Sequence, residues 1–83
     1  MDIHRIGRYI AMKRREAGMT QAELSQRLHV TRQAVSKWES GKSIPDTATL
    51  LSLSNLFDLT VEELLNGGDL PAPAAAEPSL PPT

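Results

Sequence analysis

Residues 20–41, TQAELSQRLHVTRQAVSKWESG, constrain this chain more than any other stretch. They hold two short helix signals with only a few residues between them. The first opens at Thr20 with Glu23 three residues on, a capping box in which the hydroxyl takes an orphan N–H and the carboxylate reaches back. The second opens at Thr31, a good N-cap, and Gly41 can stop it. Helical spacing places Leu24, Leu28 and one of Ala22 or Ser25 inward on the first helix, and Ala34, Val35 and Trp38 inward on the second. Arg32, Gln33, Ser36 and Lys37 are then left on the outer face of the second helix. Side chains of these types hydrogen-bond base edges and phosphates.

The distribution of charge points the same way. The chain carries a net charge of only −1, but all nine Lys and Arg residues lie between Arg5 and Lys42. Residues 1–42 have a net charge of +5 and residues 43–83 a net charge of −6, so the overall balance conceals a basic half and an acidic half. The basic half coincides with the paired helices, which together read as a helix-turn-helix suited to a polyanion. The alternative is a solvated, charge-rich surface.

With 83 residues the chain is expected to form one small domain with a modest core. It has no cysteine, hence no disulfide framework and no thiolate metal site, which fits a reducing compartment. No apolar run approaches the ~18 residues of a membrane span. The start, MDIHRIGRYI, has no continuous apolar stretch of the kind a signal peptide needs. No internal repeat is evident.

Five helices and no strand are expected. The first runs from about Ile3 to Ala17, with Ile3, Ile6, Ile10 and Ala17 on or near one stripe and Gly18 as its stop. Helices near 21–28 and 32–40 follow, then a loop through Gly41 and Pro45. Asp46 caps a fourth helix reaching about Phe57, with Leu50, Leu53 and Phe57 inward. Thr60 caps a fifth, where Glu63 completes a second T-x-x-E box; Val61, Leu64 and Leu65 face inward and Gly67 ends it. A domain over 1–68 is therefore expected, followed by a Pro/Ala-rich tail or linker over 69–83 with five prolines in its fifteen residues. That segment could lead to a further domain or carry a partner contact.

Residues 3–67 resemble the phage repressor and Cro type of helix-turn-helix domain, the XRE family with the all-α lambda-repressor-like fold. T-Q-A-E-L, V-S-K-W-E-S-G-K-S-I-P and V-E-E-L-L-N-G match that pattern in register, over about four-fifths of the chain. The resemblance implies a sequence-specific binder of a double-stranded DNA operator, a cytoplasmic, nucleoid-associated prokaryotic transcription regulator read as a repressor. It implies no enzymatic activity and no cofactor, with binding as a homodimer at least on DNA, through the region from Leu59 to Asn66. Arg32, Gln33, Ser36 and Lys37 match the base-reading face, and Gln21, Thr31, Ser40 and Lys42 match phosphate contacts. Gln21 would also brace the recognition helix, and Arg14 and Glu39 would form a salt bridge across the domain. His29 stands where the family usually has glycine, so it is expected in the left-handed region and at least partly exposed.

Several competing readings remain. Gln21 could be a solvated first-turn residue, and the Ser36 hydroxyl could be too short to reach a base. His4 and His29, far apart and without cysteine, do not read as a metal site. No motif assembles a hydrolase triad, and no glycine-rich phosphate loop exists. Trp38 could stack on a base, but its spacing from Ala34 and Val35 places it in the core. The leucines of 50–65 could face a partner, but most sit at core spacing. The antitoxin of a toxin–antitoxin pair, or a protein-interaction module on the same fold, remains open as an alternative function.

Overall fold

The computed structural model describes residues 2–68, and the expected tail over 69–83 lies outside the described residues. Five helices follow one another: α1 (Ile3–Glu16), α2 (Gln21–Leu28), α3 (Arg32–Glu39), α4 (Thr47–Phe57) and α5 (Val61–Leu65). Among the described residues there is no strand, and no helix is long and apolar enough to cross a membrane.

Each helix start has a side-chain cap. Asp2 accepts from the N–H groups of His4 and Arg5, Thr31 from Ala34, Asp46 from Thr49 and Thr60 from Glu63. At α2 the capping box is complete: the Glu23 N–H donates to Thr20 Oγ1 over 3.0 Å, and the Thr20 N–H donates to Glu23 Oε1 over 2.8 Å. At α5 only half of the expected box forms. The Glu63 carboxylate accepts instead from the Tyr9 hydroxyl at 3.2 Å, a partner 54 residues away. At its C-terminus α1 presents Lys13, Arg14 and Arg15 to the negative end of its dipole, and Gly18 at φ +72 turns the chain out.

Ile6, Ile10, Leu24, Val35, Leu53 and Leu64 are fully buried and form the centre, with Trp38, Leu28 and Leu50 around them. Ser25 is buried and Ala22 exposed, which settles that choice. Ala17 is not on the inner stripe of α1. It is the exposed C-cap residue, and Tyr9 and Ala11 are buried instead. Ala34, Phe57, Val61 and Leu65 are half-buried at the edge of the core. Gly7 lets α1 lie directly on α3, because a Cβ there would overlap the Trp38 carbonyl. Glycine inside a helix costs about 1 kcal/mol relative to alanine; here it sets the distance between α1 and α3.

Candidate nucleic-acid interface

The turn between α2 and α3 sets the angle at which the second helix leaves the first. His29 makes that turn at φ 57, in the left-handed region, with its side chain exposed. The Val30 N–H then closes onto the Ser25 carbonyl at 3.0 Å, and Val30 packs against the core. Thr31 starts α3 directly afterwards. With Val35 and Trp38 buried, Arg32, Gln33, Ser36 and Lys37 are all exposed on the opposite side of α3. Ser40 and Lys42 continue this exposed face past the helix end, where the Lys42 N–H donates to the Lys37 carbonyl at 2.9 Å.

A polar cluster holds α3 against α1 and α2. Arg14 Nε donates to Glu39 Oε2 at 2.7 Å and Nη2 to Glu39 Oε1 at 3.0 Å, a two-pronged guanidinium–carboxylate pair. The Arg14 and Glu39 side chains are only 12% and 8% exposed, so the pair is shielded from solvent and salt. Hydrogen bonding to Glu39 holds the Arg14 guanidinium above its ordinary pKa, against the opposing pull of burial. Arg14 Nη1 also donates to the Met19 carbonyl at 2.8 Å, which ties down the α1–α2 turn. Gln21 Nε2 donates to Glu39 Oε1 at 2.9 Å, so the first residue of α2 is bound to the last residue of α3. That leaves one amide N–H of Gln21 uncommitted at the N-terminus of α2, where the helix dipole favours an anion.

An open groove of about 530 Å³ lies between α1 and α3. Its α1 wall is Arg8, Ala11 and Arg15, and its α3 wall is Ser36, Glu39 and Ser40. Gln21 of α2 also lines it. The structure therefore gathers Gln21, Ser36 and Ser40 around one concavity. Arg32, Gln33 and Lys37 lie on the exposed face of α3 outside its lining. Arg8 and Arg15 were missed at the level of the sequence; their seven-residue separation, which keeps both on one side of a helix, was the available signal.

The comparisons with known proteins agree with this geometry. The helix-turn-helix family matches residues 10–64. The HTH-type transcriptional activator BcrR of Enterococcus faecalis is 46% identical over 52 residues, which is 63% of this chain and 26% of that protein. The HTH-type transcriptional regulator ImmR of Bacillus subtilis is 37% identical over 60 residues, 72% of this chain and 47% of the relative. The chain thus spans between about a quarter and a half of the length of these curated relatives. Among solved structures, the P22 c2 repressor in complex with a synthetic operator superimposes with a TM-score of 0.72 at 31% identity, over 77% of this chain and 96% of the repressor chain. The clp gene regulator ClgR of Corynebacterium glutamicum shares the fold, with a TM-score of 0.70 at 20% identity over 82% of this chain and 72% of its own. This chain, with its five helices in lambda-repressor-like order, belongs to the helix-turn-helix family of the XRE type.

Proposed function

We propose that this chain is the DNA-binding domain of a transcriptional regulator, acting as a repressor where its operator overlaps a site that transcription needs. The observation that carries this reading is the outer face of α3: four exposed polar or basic side chains on a helix whose inner side is fixed by Val35, Trp38 and the Arg14–Glu39 pair. In the major groove, Gln33 would take the N6/N7 edge of adenine, and Arg32 or Lys37 the O6/N7 edge of guanine. Ser36 is short and serves a base only where α3 lies deepest. Thr31, Ser40, Lys42 and the spare N–H of Gln21 would take phosphates and fix the register.

A single domain offers few base contacts. Two copies on half-sites about one DNA turn apart would supply a stable and specific complex. We place the contact between copies at the α5 end, from Leu59 to Asn66. Sedimentation with a two-half-site duplex should give two chains per DNA; a saturated complex of one chain per duplex would contradict it. The binding itself is tested by selecting duplexes from a random pool and titrating salt. A recovered consensus and an affinity that falls linearly on a log–log plot against salt are expected. A pool that stays random would overturn the reading.

A further inference from the structure

Resting on the DNA-binding reading above, we infer that Arg8 and Arg15 of α1 form a phosphate clamp that grips the DNA strand running along the Ser36–Ser40 side of α3. The two arginines stand on one side of α1, seven residues and so roughly 10.5 Å apart along the axis. Both are exposed and both face the groove. Between them on the groove wall stands Ala11, buried and ending at its Cβ, so α1 adds no long side chain to the groove lining besides the two arginines.

The other cations of the second half of α1 are committed. Lys13 pairs with Glu16 at 3.5 Å and lies over the Tyr9 ring, and Arg14 is held by Glu39. Neither Arg8 nor Arg15 makes an ion pair among the described residues; Asp2 feels the charge of Arg8 without pairing with it. The carboxylate in the groove wall does not neutralise them. Both oxygens of Glu39 are already occupied, Oε2 by Arg14 and Oε1 by Arg14 and Gln21. The groove therefore presents two uncommitted guanidinium forks beside the hydroxyls of Ser36 and Ser40.

A guanidinium fork matches phosphate geometry bidentately. The groove borders the reading face of α3, so an anion seated in it while α3 lies in the major groove belongs to the DNA backbone. Lys42, beyond the end of α3, would hold the duplex at another point. Contacts at both places would hold the domain on the DNA backbone, while the side chains of α3 choose the bases. Arg8 and Arg15 are then positioning residues that carry no sequence information themselves.

The test uses the full chain and a duplex selected by it. The Arg8→Ala/Arg15→Ala double variant should keep the parent's thermal midpoint and base preference. Its plot of log affinity against log salt should be shallower by about 1.8, two phosphate contacts at ~0.9 each. Neutral methylphosphonates are then placed at one linkage at a time. At one or two linkages the parent should lose affinity while the double variant loses none. An unchanged salt slope, a shifted consensus, or equal losses at every linkage for parent and variant would overturn the clamp. A parent that selects a site while the variant keeps the full slope defeats the clamp alone. A parent that selects nothing defeats the DNA-binding reading, and the clamp with it.

Discussion

The α2–α3 and α4–α5 turns are built alike and lead into helices of opposite charge. In the first, Leu28-His29-Val30-Thr31 ends one helix and caps the next; in the second, Phe57-Asp58-Leu59-Thr60 does the same. His29 and Asp58 both stand at φ 57. The following N–H closes onto a serine carbonyl in both, Val30 to Ser25 at 3.0 Å and Leu59 to Ser54 at 2.8 Å. Both serines are buried and return their hydroxyls to the carbonyl three residues back. After the turn the two diverge. α3 carries Arg32, Gln33 and Lys37 on an exposed face, whereas α5 carries Glu62 and Glu63 and no base. Turn geometry decides where a helix points; the charge on its outer face decides whether it suits a polyanion.

The two second helices are also fastened differently. α3 is tied to α1 by a shielded ion pair, whereas the Tyr9 hydroxyl of α1 holds α5 by a hydrogen bond to Glu63. Glu39→Ala would leave Arg14 shielded and without its counter-charge, and should cost about 3–5 kcal/mol of unfolding free energy. Tyr9→Phe should cost only about 0.5–1.5 kcal/mol. Denaturant titration of both variants measures the contrast; equal losses would erase it.

If the turns are equivalent, His29→Val and Asp58→Val should each destabilise by roughly 1–2 kcal/mol, because a β-branched residue is poorly accommodated at positive φ. His29→Gly and Asp58→Gly should be neutral or slightly stabilising, with relief of strain opposing the greater freedom of the unfolded chain. Thermal melts would show it; a tolerant His29→Val beside a sensitive Asp58→Val would break the equivalence.

The smallest effect concerns acid. Hydrogen bonds from Thr49 hold the Asp46 carboxyl below its ordinary pKa of 3.8, whereas α2, α3 and α5 begin with threonines that do not titrate. A depressed carboxyl contributes stability above its unfolded pKa and loses it as pH falls through the folded value. Unfolding curves between neutral pH and pH ~3 should therefore show an acid loss in the parent that is smaller in Asp46→Asn, since asparagine caps without titrating. Equal acid sensitivity would show that the cap charge does not matter.

The helices, the caps of α2 to α5 and the exposed face of α3 were legible because they rest on local spacing and on side-chain types that bond to their own backbone; the Asp2 cap of α1 was not read. The left-handed turn was read at His29 but not at Asp58, although apolar–polar–apolar–Thr stands at both. The second Thr-x-x-Glu looked like the first; Glu63 turned to Tyr9, and no local pattern announces a partner 54 residues away. Gly7 went unread for the same reason, since its purpose is a carbonyl on another helix. Arg8 and Arg15 needed the α1–α3 packing before they could be seen beside Ser36 and Ser40.

The central claim, that the outer face of α3 reads bases, is tested most directly by selecting duplexes with the parent and with Gln33→Ala in parallel. The account predicts that the parent recovers a defined site and that Gln33→Ala loses roughly 1–3 kcal/mol on it, with preference relaxed at one base position. A variant that weakens uniformly on every sequence, or that recovers the parent's site unchanged, would contradict it.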